Sequence, residues 1–201
     1  MRRTYYLILF VLSLALQTKA QSSSADLAPY KHHIANDDHQ FSFYTLPSDK
    51  SVGTIKPNRS YYWWGGKQIQ VTQGGYSGKL LDGIFTVYYL NKQLKQQGLF
   101  KKGLKYGEWK EWNEQGKLTL RTTYVEGIAN GSFYKYNDLG QLQEQGTYKD
   151  GKLEGKLSKY VTADSVSVSK YKNGVLVPVQ KDTDSKPWWK FWKKKETNVR
   201  K

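Results

Sequence analysis

Hydrophobic and polar residues alternate in stretch after stretch through the middle of the chain. In 118–124, Leu118, Leu120 and Tyr124 share one parity and Thr119, Arg121 and Thr123 the other. Leu142 and Tyr148 against Gln143, Gln145 and Thr147 repeat the split, as do Leu94 and Phe100 against Lys95 and Gln97. A period of two predicts strands with one buried and one wet face. Turn chemistry separates them: Asn113-Glu114-Gln115-Gly116 and Asn137-Asp138-Leu139-Gly140 fill one kind of slot, Asp150-Gly151 and Asn173-Gly174 the other. Asn-Gly and Asp-Gly accept the positive φ that tight hairpins require.

These stretches are copies of one another. Gly83, Gly107, Gly131 and Gly155 lie 24 residues apart, and Tyr88, Trp112, Tyr136 and Tyr160 keep the same step. So do Phe85, Trp109 and Phe133; Leu94, Leu118 and Leu142; Tyr76, Phe100, Tyr124 and Tyr148; and Gly103, Gly127 and Gly151. A fixed period in this range marks a supersecondary unit stacked on its own copies. Two strands per unit predict an all-β fold, an elongated antiparallel meander of β-hairpin repeats with about 8–10 strands. Trp64 and Gly74 stand 24 residues before Tyr88 and Gly98, which reads as a divergent first unit. Val175 to Val179 read as a final edge strand.

The first strand of each unit carries aromatics three residues apart, so Phe85, Trp109 and Phe133 should face away from Tyr88, Trp112 and Tyr136. One face is then covered and the other displays an aromatic ladder. Trp109, Trp112, Phe133 and Tyr136 are the candidate partner-binding residues, with plain packing as the competing role.

The ends differ from the middle. Arg2 and Arg3 precede an apolar run from Tyr5 to Leu16, and Thr18-Lys19-Ala20 offers a cleavage site, so residues 1–20 read as a secretory signal peptide. The mature chain is then exported to periplasm, envelope or exterior after cleavage near Ala20. Residues 21–58 read as a polar N-terminal arm with one short strand at 41–44, residues 59–179 as the repeat domain, and residues 180–201 as linker and tail. Losing Arg2, Arg3 and Lys19 lowers the formal charge from +15 to +12, and the last 16 residues hold seven Lys/Arg and one Glu. There is no cysteine, which excludes disulfides and thiolate chemistry.

The text Gly107-Glu108-Trp109-Lys110-Glu111-Trp112-Asn113-Glu114-Gln115-Gly116-Lys117-Leu118, with Tyr148-Lys149-Asp150-Gly151-Lys152-Leu153-Glu154-Gly155, resembles the MORN-repeat variant of bacterial YwqK-family antitoxin proteins. The resemblance covers about residues 60–174. It implies β-hairpin arrays that serve in protein contact and membrane-associated scaffolding, and the antitoxin name implies neutralising a partner toxin. An export signal is at odds with a cytoplasmic antitoxin and favours an envelope role.

No nucleophile elbow, zinc-protease helix, phosphate loop or dinucleotide fingerprint occurs. Glu108 and Glu111 fall on opposite faces of a strand and cannot flank one bond. His32, His33 and His39 sit beside Asp37 and Asp38 but match no tight ligand spacing, so no metal and no cofactor is assigned and the chain reads as non-enzymatic. The tail interleaves Trp188, Trp189, Phe191 and Trp192 with Lys190, Lys193, Lys194 and Lys195. Indoles at headgroup level and lysines against anionic lipid suit a membrane surface. The expectation is an exported scaffold that binds an unknown protein partner, held at an anionic envelope surface by this tail. Its alternatives are an antitoxin or immunity protein and a glycan or lipid binder using the aromatic ladder; nucleic acid is the least favoured partner.

Overall fold

The computed structural model describes residues 30–162 and 165–178. The signal segment at 1–20 and the Trp/Lys tail lie outside the described residues. The array is built from β6 (Gly83–Tyr89), β7 (Leu94–Lys101), β8 (Leu104–Trp112), β9 (Leu118–Val125), β10 (Ile128–Tyr136), β11 (Leu142–Lys149), β13 (Gly155–Thr162), β14 (Ser165–Lys172) and β15 (Val175–Val177), with the short β12 (Lys152–Leu153) paired to β11. Each strand pairs antiparallel with the next, as the alternation predicts.

Two recurring backbone features explain the glycine columns. Gly83, Gly107, Gly131 and Gly155 all have positive φ, from +69° to +117°, a region costly for a residue with a Cβ. At the tight turns both central residues are left-handed: Lys102-Gly103, Glu126-Gly127, Asp150-Gly151 and Asn173-Gly174. This is the primed hairpin turn whose twist matches the strands. The turn glycines also tie each unit to the one before. The amides of Gly103, Gly127, Gly151 and Gly174 donate to the carbonyls of Leu81, Lys105, Ala129 and Leu153 at 2.7–2.9 Å, and the acceptors are again 24 residues apart.

Register shifts twice per unit: once around the positive-φ glycines, between Gln97 and Leu99 of β7 against β8 and between Ala129 and Phe133 of β10 against β9, and once near the end of each first strand. Glu111 pairs with Leu120 but Trp112 pairs with Leu118, so Thr119 is an extra residue in β9. Lys95 in β7 and Gln143 in β11 are extra in the same way. Leu118 therefore lies opposite Trp112 and not on the face of Leu120, a departure from the strict alternation expected there: a bulge resets the parity.

Residues 31–44, read as part of a polar arm, instead open the main sheet. β1 (Lys31–Ala35) and β2 (His39–Tyr44) form a hairpin, and β2 pairs with β6 through Phe41 opposite Val87 and Ser42 opposite Thr86. Residues 60–80, read as a divergent first unit, leave the array. β3 (Ser60–Gly65), β4 (Gln68–Gln73) and β5 (Lys79–Leu80) make a separate three-stranded sheet. It is tied down by the Tyr62 amide to the Gly103 carbonyl (2.8 Å) and the Leu81 amide to the Tyr62 carbonyl (3.0 Å). The small sheet turns Tyr62 and Trp64 onto the main sheet, with Tyr62 4.8 Å from Phe100 and Trp64 5.4 Å from Phe43, ring centre to ring centre. The core beneath is Phe43, Leu81, Phe85, Val87, Phe100 and Trp109. Sheet-on-sheet packing buries what a single ribbon leaves wet.

Candidate functional site: two faces of one sheet

The face under the small sheet, the inner face, carries Phe85, Trp109 and Phe133. Trp109 is 2% exposed and Phe133 1%, so neither displays a surface to a partner. The partner-binding role expected for these two is corrected to packing. Trp109 lies 4.9 Å from Phe100, 5.8 Å from Phe85 and 6.3 Å from Tyr124, and Phe133 4.7 Å from Tyr148. Small residues make room for them. Gly98 is paired with Phe85 and Gly146 with Phe133. A Cβ on Gly98 would overlap the Trp109 indole, and one on Gly146 would come within 2.8 Å of Phe133.

The outer face carries Trp112 and Tyr136, both half-buried, in line with Tyr88 (36% exposed) and half-buried Tyr160. Parity within β6, β8 and β10 and the pairing of Tyr88 with Gln40, Trp112 with Leu118 and Tyr136 with Leu142 put this row opposite the core residues. Equivalent residues stand two strands apart, about 9–10 Å. Gln145 Nε2 donates to Tyr160 Oη at 2.6 Å. Beside the row, Glu108 pairs with Lys110 (2.9 Å) and Arg121 (3.5 Å), and the Arg121 guanidinium lies 4.1 Å over Tyr134. Glu111 points to the other face and accepts from Gln96 Nε2 at 2.9 Å, so the two glutamates are separated as the strand parity predicts.

The histidines are dispersed. His32 stacks on Phe43 at 5.1 Å and its Nε2 meets Thr45 Oγ1 at 3.1 Å. Burial, then the nearby Lys79 charge, pulls its pKa down. His39 Nε2 lies 2.6 Å from Lys95 Nζ. Among the described residues no group of three metal-capable side chains comes together.

One residue on the inner face was missed. Lys105 Nζ lies 4.3 Å from the centre of the Trp109 ring, 5.2 Å from Tyr124 and 5.7 Å from Tyr62. Burial lowers its pKa, offset in part by the Glu111 charge. The same burial raises the phenols of Tyr62 and Tyr124. The signal was in the sequence: the column 81, 105, 129, 153 reads Leu, Lys, Ala, Leu.

The sign of the Lys105 effect is fixed by linkage. Its folded pKa lies below the unfolded one, so the unfolded chain binds more protons between the two and stability rises with pH across that window. The cost of burying the ammonium is present below the folded pKa. Lys105→Met keeps the apolar stem and removes the charge. Its unfolding free energy is expected within about 1 kcal/mol of the parent at pH 7. The parent should gain on the variant as pH rises from 7 to 9.5 in urea titrations. A constant gap would show that the ammonium is not desolvated.

The hairpin is the repeating unit: β6–β7, β8–β9 and β10–β11 repeat the same pairing at 24-residue steps, with Gly83 opposite Phe100, Gly107 opposite Tyr124 and Gly131 opposite Tyr148. Residues 81–102, 105–126 and 129–150 match the MORN repeat variant model. The matched segments begin at Leu81, Lys105 and Ala129, the three staple acceptors, and end at the first left-handed turn residue. MORN repeats are in general protein- or lipid-binding modules and typically non-catalytic scaffolds. The search for matches among curated proteins and solved structures found none. The β1–β2 hairpin and the small sheet lie outside the matched MORN repeats and cap the array.

Proposed function

We propose that the chain is an exported, non-enzymatic MORN-type scaffold that binds a protein partner through its outer face. The Trp/Lys tail holds it at an anionic envelope surface. The observation that supports this is the asymmetry of the two faces. The small sheet lies on the inner face, whereas Tyr88, Trp112, Tyr136 and Tyr160 form an in-register row on the other. Half-buried aromatics flanked by charge are the composition of an interface centre. An immunity-like role, in which the partner is a toxin, is the form the YwqK resemblance implies. The spacing of the row also suits stacking against alternate rings of an extended glycan, which favours a glycan as the second reading.

Site-specific photo-crosslinking in the native cell tests the first reading. A photoreactive residue at Tyr136 is expected to yield one protein adduct of defined mass, and one at buried Phe133 none. The reading fails if both positions give the same adducts, or if cell-wall glycan alone is captured. Deleting residues 186–201 is expected to abolish pelleting with anionic vesicles; unchanged pelleting removes the tether.

A further inference from the structure

The inner face holds a cleft above part of the core. It lies between the two sheets, with a volume of about 630 Å³. Phe85, Phe100 and Trp109 form its floor, Tyr62 and Ile69 its roof, and Ile34 and Phe41 one side. A second cavity of about 340 Å³ shares Phe41, Phe85 and Gln96 with it and runs on past Val87 to Tyr89 and Thr119. Both fall in the range of small-molecule sites, and so does their composition of apolar walls with a few polar groups.

The polar groups have one sign in the larger cavity. Its charged lining residues are Lys67 and Lys105, with no carboxylate. Lys105 is held against three ring faces, which attract its charge but accept none of its three N–H donors. No carboxylate of the described residues lies within ion-pair distance of it. The closest acid along the face, Glu111, is engaged by Gln96. The Trp109 indole, which lines the same cleft, has a buried Nε1–H with no acceptor. A half-buried ammonium with no ion-pair partner beside an apolar trough is complementary to an anion with an apolar body. One desolvated ammonium balances one negative charge. Lys67 is exposed to solvent, so a second negative charge would meet no desolvated partner.

We propose that this cleft binds a fatty-acid-type carboxylate, its head on Lys105 and its chain along Phe85 and Phe41. The site is separate from the outer row, so it stands or falls independently of the partner reading. It also gives Lys105 a role that the repeat does not require, since Leu81, Ala129 and Leu153 fill the same place in the other units.

Calorimetric titration of the full chain with decanoate and with decanol separates head from tail recognition. Decanoate is expected to bind with 1:1 stoichiometry at least ten-fold more tightly than decanol. Lys105→Met should erase that preference, leaving the two ligands within two-fold. Lys135→Met, on the same face away from the cleft, should preserve it. Ile69→Trp, which fills the cleft from the roof, should weaken both ligands at least ten-fold, with far-ultraviolet dichroism unchanged. No binding of decanoate, an equal affinity for decanol, or a preference that survives Lys105→Met overturns the proposal. Competition by inorganic phosphate as effective as by decanoate overturns it too, because the site would then read only charge.

Discussion

Replacing Trp109 with alanine should cost about 4 kcal/mol of unfolding free energy, and replacing Trp112, three residues along the same strand, about 1 kcal/mol. The difference comes from the face each residue occupies. Trp109 is enclosed by Phe85, Phe100 and Tyr124, seated on Gly98 and faced by Lys105 Nζ, so its removal leaves a cavity that the two sheets cannot close. Trp112 is half-buried on the outer face against Leu118, and its truncation opens a surface that water fills. A loss of that size for Trp109 is a large part of the 5–15 kcal/mol typical of a domain. Urea titrations of the two variants decide the matter: similar midpoints would mean that the inner face is not the core. Gly98→Val should fall near Trp109→Ala, since the new side chain occupies the space of the indole.

The contrast between these two tryptophans also shows what the sequence discloses. Their spacing of three in a strand separates them onto two faces, and that much is legible. Which face is covered is not, because the cover is supplied by Tyr62 and Trp64 on a separate sheet, whose contacts to Phe100 and Phe43 are long-range. Trp64 keeps a 24-residue step to Tyr88, yet it belongs to a different sheet, so a spacing match alone did not place it. Of the β1–β2 hairpin only the strand at 41–44 was legible; its place in the sheet was hidden for a similar reason, since Phe41 pairs with Val87 across 46 positions. The turns, by contrast, were readable because Asp150-Gly151 and Asn173-Gly174 encode their left-handed geometry locally. The bulges at Lys95, Thr119 and Gln143 carry no glycine or proline to announce them, and they changed the face assigned to Leu118. Of the binding residues, Trp112 and Tyr136 keep an outward position, and Trp109 and Phe133 do not.

If the hairpin is the unit of the fold, one copy can be removed whole. Deletion of residues 105–128 joins Leu104 to Ala129, brings Gly131 to the place of Gly107, Phe133 to that of Trp109 and Tyr148 to that of Tyr124. The Gly151 staple to Ala129 is retained, and β7 receives a strand with the same sequence of small and aromatic residues. This variant should fold cooperatively, with a urea m-value lower by about a sixth in proportion to the surface lost. Deleting residues 105–127 removes one residue fewer and keeps nearly the same composition. Yet every side chain after the junction then moves to the opposite face, which puts Phe133 in water and a polar neighbour against Gly98. That chain should lose the near-ultraviolet dichroism of its packed aromatics and show no cooperative transition. Equal stability of the two deletions would mean that bulk hydrophobicity, not register, holds the sheets together. Failure of the 24-residue deletion alone would mean that the small sheet requires Trp109 itself, and that the copies, though alike in backbone, are not interchangeable in the core.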